Sequence, residues 1–206
     1  LGKEAMGASN VAAGLVAGVT AAFAGLGFMA IKSAADMEQN RIAFTTMLGS
    51  AEKAEVYLKA LGDFAAKTPF NLPDVLQGSR RLLAMGFSAE QTIPILTAVG
   101  DAASGLDIGA EGINRITLAL GQMQAKGKVS AEEMKQLSEA GIGAWGYLAD
   151  AMGKSQAEVM KMAEQGQISS ATALQTIISG MANQFPNMME AQSQTIIGLM
   201  STIEDN

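Results

Sequence analysis

From Ala34 onward, apolar positions recur every three or four residues, and small flexible residues mark the breaks between runs. Met37, Phe44, Leu48 and Ala51 keep that spacing, which is the apolar stripe of an amphipathic helix. Gly49 supplies an end and Ser50 a restart, because glycine tolerates the left-handed turn that closes a helix and serine accepts hydrogen bonds from orphan amides. The next helix is predicted to bury Leu58, Leu61 and Phe64. In "KTPFNLPDVL", Thr68 is pushed toward extended geometry by the proline after it. Pro73 suits the first turn of a new helix, where its missing N–H costs nothing. That third helix is predicted to run to about Met85 and stop at Gly86.

The rhythm then repeats. Ser88 and Gln91 form a capping box with Phe87 placed to staple it, and Leu96, Val99, Ala103 and Leu106 make the stripe that follows. Pro94 lies inside this helix and predicts a kink or a later true start. A turn spans Gly105 to Gly109. Ile113, Ile116, Leu120 and Met123 form the face of the next helix, which ends at Gly127. Three similar phrases open shorter helices: Ser130 with Glu133, Ser155 with Glu158, and Ser169 in "GQISSATAL". Each follows a glycine able to close the helix before it. Between the first two, Trp145, Leu148, Ala149 and Met152 share one helical face. Leu174, Ile177, Ile178 and Met181 make the cleanest stripe, which Phe185-Pro186 breaks. Ile196, Met200 and Ile203 begin a final helix, so 187–206 reads as the start of a longer one.

No segment alternates apolar and polar residues between hairpin turns. The predicted fold is therefore all-α: a compact multi-helix domain of short amphipathic helices over 34–206, preceded by an apolar, Ala/Gly-rich helical leader over 1–33.

That leader is a different material. Residues 5–31 carry no charge, and about 20 apolar residues suffice to span a bilayer as a helix. Its small residues fall at helical spacing: Gly14, Gly18 and Ala22 at every fourth position, with Ala17, Ala21 and Gly25 beside them. Gly14 to Gly18 is a GxxxG match, and such spacing lets helix backbones approach closely. A membrane-competent segment over 11–31 and a self-packing helical hairpin both satisfy these facts. A cleaved signal peptide fits less well, since no basic stretch leads into the run. Because the chain opens on Leu1, its ends are expected to be those of a fragment.

Composition narrows the chemistry. The 206 residues carry a formal net charge of −6, which disfavours a domain whose main task is gripping nucleic-acid phosphates; no specific nucleic-acid site is predicted. There is no cysteine and no histidine, so disulfides, thiolate or imidazole metal ligation and Cys/His or Ser/His catalysis are outside this chain's means. Gly141-Ile142-Gly143-Ala144-Trp145-Gly146 spells GxGxxG, but a helix precedes it where a dinucleotide site needs a strand. A tight turn between helices is the better reading. Gly121 to Lys128 resembles a phosphate loop only loosely, since its spacing is one residue too long and Val129 stands where Ser or Thr would hold magnesium. Glu132, Glu133, Glu139 and Asp150 are read as solvated helix faces and helix-dipole partners rather than a glycosidase pair. The prediction is no catalytic residue, no cofactor and no metal. Trp145 and Tyr147, the large amphipathic aromatics of the C-terminal half, are the partner-contact candidates. Small-residue helices behind an uncharged leader suit self-association.

From Ala35 to Thr202 the chain resembles the N-terminal region of tail tape-measure proteins of long-tailed bacteriophages and prophages. The phrases that carry the likeness are "ADMEQNRIAFTTMLGSAEKA", "FAAKTPFNLPDVLQGSRRLLAMGFSAEQTIPIL", "GDAASGL", "ALGQMQAKGKVSAEEMKQLSEAGI", "LADAMGKSQAEVMKMAEQGQIS" and "SQTIIGLMSTIED", in that order. The resemblance implies a structural tail protein, not an enzyme. Such a protein occupies the tail-tube lumen during assembly in the host cytoplasm, fixes tube length and leaves ahead of the DNA at infection. It implies the tail tube protein, tail assembly chaperones and tail-tip proteins as partners, location in the virion, and contact of 11–31 with a host membrane during ejection. The alternatives are a membrane-inserting segment that aids genome delivery and a peptidoglycan-cleaving module. A helix advances about 1.5 Å per residue, so a long helical chain can act as a ruler. The frequent glycine and proline stops here imply instead a compact terminal module, with the measuring rod beyond Asn206.

Overall fold

A computed structural model describes residues 34–195. They fold as nine named helices: α1 (Ala34–Leu48), α2 (Ala51–Ala66), α3 (Leu72–Ala84), α4 (Ala89–Gly105), α5 (Gly109–Lys126), α6 (Ala131–Glu139), α7 (Ala144–Met152), α8 (Gln156–Glu164) and α9 (Ser170–Gln184). Residues 188–195 are also helical. The described residues contain no strand, and one isolated antiparallel bridge joins Lys128 to Ser169. The all-α expectation holds. The leader 1–33, with the small-residue positions at 14, 17, 18, 21, 22 and 25, lies outside the described residues, as do Ile196, Met200 and Ile203.

The described residues divide into two compact units, parted between Ala66 and Lys67. In the first, α1 and α2 form a helical pair. Phe44 meets Tyr57 edge to face with ring centroids 5.5 Å apart, a geometry that places a ring's positive edge on a negative face. Arg41 pairs with Glu55 at 3.2 Å across the same seam. The predicted stripe is correct for Met37 and Phe44, which are buried, but Ala51 is exposed. Gly49 adopts φ +70° between the two helices, so the chain turns and the periodicity does not carry across. Leu58 and Leu61 are buried as predicted, and Phe64 is half-buried.

In the second unit α5 is central, touching α3, α4, α6 and α9. Ile113, Ile116, Leu120 and Met123 are all sealed from solvent, as the 3–4 spacing requires of a helix surrounded by others. The approach of α3 depends on Gly78: a Cβ there would sit 3.2 Å from Leu96 Cδ2 and 3.5 Å from Ile113 Cγ2. Arg81 then ties the two helices, its Nη1 donating to the Asn114 carbonyl at 2.7 Å and to Thr117 Oγ1 at 3.3 Å.

The serine caps at 88, 155 and 169 fall where the sequence places them, whereas Ser130 makes no side-chain bond to a first-turn amide and instead donates to the Glu133 carboxylate. Asn71 Oδ1 accepts from the Asp74 amide at 3.1 Å, with Pro73 in the first turn of α3. The Ser88 amide donates to Gln91 Oε1 at 2.9 Å. Ser155 Oγ accepts from the Glu158 amide at 3.3 Å while Glu158 Oε2 accepts from the Ser155 amide at 2.9 Å. Ser169 Oγ accepts from the Thr172 amide at 3.1 Å. Each satisfies an amide that the first helical turn leaves without a partner. Pro94 does not delay the start of α4, which begins at Ala89 and runs through it. The proline is exposed, so its ring needs no room in the core. Thr92 and Thr97 back-bond to the carbonyls of Ser88 and Ile93, at 2.8 and 2.9 Å, on either side of it.

Candidate functional site

Two places in the second unit gather polar side chains. The first lies between α7 and α9. The α9 helix is short of bulk where they meet: a Cβ on Gly180 would fall 2.4 Å from Cγ of Tyr147, so the tyrosine ring lies directly on the α9 backbone. Its hydroxyl donates to Gln184 Oε1 at 2.5 Å, and burial pushes the phenol's pKa up. Along this seam runs an open groove of about 600 Å³ whose walls include Tyr147, Asp150, Gln175, Thr176, Ser179 and Asn183. The polar side chains of its lining carry hydroxyl and amide groups and one carboxylate. Such a surface offers hydrogen bonds to another polar backbone or helix face but no nucleophile with an activating base.

The structure places the two partner-contact candidates differently. Tyr147 is half-buried and commits both ring and hydroxyl to α9. Trp145, also half-buried, lies on the same helix, beside the buried Leu148 and Ala149 of the predicted stripe.

The second place is the α5–α6 junction. Gly127 ends α5 in the left-handed region, at φ +69°, and turns Lys126 back over the first turn of α6. Its ammonium donates to Glu132 at 3.2 Å and more closely to Glu133, and Ser130 Oγ also donates to Glu133. The Glu133 side chain is fully buried. This corrects the expectation of a solvated carboxylate: Met134 and Leu137 draw that face of α6 into the core, and Glu133 goes with them. Burial alone would push its pKa up. Hydrogen bonds from Lys126 and Ser130 outweigh that and hold the carboxyl below its ordinary value, while Glu133 and Glu132 push the Lys126 ammonium up. The arrangement is a closed ion pair at a helix joint, with no open coordination position.

The other motifs resolve as turns and faces. Gly141 sits at φ +87° between α6 and α7, so the GxGxxG run is the inter-helix turn its context suggested. In the loose phosphate-loop likeness, Gly121 is inside α5 and a Cβ there would strike the sulfur of Met85 at 2.1 Å; it serves close contact, not phosphate. Glu139 pairs with Lys135 at 3.6 Å. Among the described residues no three potential ligands gather around a metal position, and no helix is long and apolar enough to cross a membrane.

What sequence reasoning missed is Asp101. It is buried, and its Oδ1 accepts from the Met189 amide at 2.9 Å. A charged residue in the otherwise small, apolar "GDAASG" was a signal that something distant meets it there.

A family model described as tape measure protein matches residues 29–206. Among curated proteins, this chain is 28% identical over 203 residues to the Mu-like prophage FluMu protein gp42 of Haemophilus influenzae, a match covering 95% of this chain and 30% of that relative. The chain thus spans less than a third of that relative's length. No solved structure matches.

Proposed function

Because the chain belongs to the tape-measure protein family, a family of structural phage-tail proteins, we propose that it is the compact module from which a longer measuring chain extends. In this reading the module organises tail assembly and the remainder sets tube length. The observation that carries it is the family match over all of the described residues, joined to a fold in which each of the nine named helices ends within 18 residues. At about 1.5 Å per residue such helices are each under 30 Å long, too short to be the ruler themselves. The relative extends far beyond the matched region, which leaves room for one.

The partners proposed are the tail tube, tail-tip and assembly-chaperone proteins, met through exposed helix faces. Ile42 and Val56, 60% and 73% exposed in the first unit, and the exposed Met160 with the half-buried Trp145 in the second are among the apolar side chains offered. The place of action is the tail-tube lumen, until ejection ahead of the DNA. The test is to shorten the full-length protein outside the region covered here, keeping this module intact. Electron microscopy of the particles should show tails shorter in proportion to the residues removed. Tails of unchanged length would contradict the reading.

A further inference from the structure

The phrase "GDAASGL" belongs to the family likeness, yet nothing in the proposed assembly role explains it. In the structure it is the C-terminal half of α4, and two of its positions, Gly100 and Gly105, present bare backbone. A Cβ on Gly100 would fall 2.4 Å from Met189 Sδ and 3.2 Å from the Phe70 ring; a Cβ on Gly105 would fall 2.6 Å from the Phe185 ring and 3.3 Å from Met188 Cγ. The two glycines are therefore the floor of a slot. Phe185, Met188 and Met189, which bracket the start of the helical run 188–195, fill it.

Between the two glycines stands Asp101. Its carboxylate accepts the Met189 amide at 2.9 Å, which lies in the first turn of that run. The Ala191 amide bonds the Asn187 carbonyl at 3.1 Å, so Asn187 holds the N-cap position. Asn187, at φ +57°, lacks the extended backbone with which a capping side chain normally reaches the first amides. Asp101, 88 residues away, supplies that cap from another helix and adds a negative charge where the helix dipole favours one. Further along, Ser193 Oγ reaches the Lys67 carbonyl at 3.5 Å, a weak contact. Before the run, Pro186 and Asn187 form a turn that α9 does not continue through.

We propose that this slot is a latch: Asp101, Gly100 and Gly105 seat the 188–195 helix and set where the chain leaves the module, and the helix can unseat as a unit while α3–α9 stay folded. The contacts that close it include one buried carboxylate cap on the first turn and three apolar side chains seated against α4 at and just before that turn. The proposal concerns a conformational element and stands whether or not the tail role is correct.

Hydrogen–deuterium exchange on the full 206-residue chain tests it. Asp101→Ala should speed exchange of the 188–195 amides by about fivefold to tenfold, the usual scale of a lost cap, with α5 and α6 unchanged. Gly100→Ala keeps the carboxylate but fills the slot, and should loosen the same amides alone. Unchanged protection of 188–195 in either folded variant would overturn the latch. So would a rise spread evenly over α3–α9, which would mean that the run is simply part of the core.

Discussion

Glu133 is the residue whose environment departs furthest from its sequence character. A fully buried carboxylate is costly unless it is paired and hydrogen-bonded, and here Lys126 and Ser130 do both. Its pKa is lowered from the ordinary 4.5, so the folded state favours the charged form more than the unfolded state does. That contribution is complete above about pH 4.5 and is lost as pH falls through the lower folded value. Glu133→Gln should therefore cost about 1–3 kcal/mol at neutral pH, the lower end being favoured because the Lys126 ammonium remains partly solvated. It should also flatten the acid limb of the stability curve. Urea melts from pH 7 down to pH 3 read both effects; equal losses for the two proteins across that range would contradict the ion-pair account. Neither Glu133 nor Asp101 was legible from sequence as a buried acid. Their partners are set by tertiary contact, seven residues away across a turn in one case and 88 in the other, and periodicity reports only which face a residue shares with its near neighbours.

Helices, by contrast, were largely legible, because their start and stop signals are local. Ser88 with Gln91, Ser155 with Glu158, and Ser169 all cap as their spacing predicts. The failures have local causes too. Of the two outcomes expected at Pro94, the later start does not occur, since α4 begins at Ala89 and runs through it, and the α1 stripe does not carry across Gly49 to Ala51. The cap on α8 is the cleanest test at this scale. Ser155 holds the Glu158 amide and Glu158 returns to the Ser155 amide, and the bonds that the Ser155 hydroxyl and amide donate to the carboxylate lower the glutamate's pKa. Ser155→Ala should destabilise the fold by about 0.5–2 kcal/mol, measured by chemical denaturation with an unchanged slope. A loss near zero would mean that Gly153 and the α7–α8 contact alone fix that junction. The glycine seats at 100, 105 and 180 belong to this scale as well. Periodicity gives them no packing role, but in the fold they admit Met189, Phe185 and Tyr147 against a helix backbone.

At the scale of the molecule, short capped helices around α5 make a self-contained body, with α1 and α2 as a second compact unit. Family membership supplies what physics could not: nothing in charge, periodicity or spacing points to a phage tail, and the role comes from the likeness alone. What physics adds is a division of labour. Helices with this many stops are too short to serve as a ruler, and in the proposed reading the body's part is to organise. The direct measurement is to delete residues 34–195 in frame from the full-length protein and count and size tails by electron microscopy. The account predicts that tails fail to assemble, whereas downstream shortening yields short but complete tails. Tails formed at normal yield without this module would contradict it.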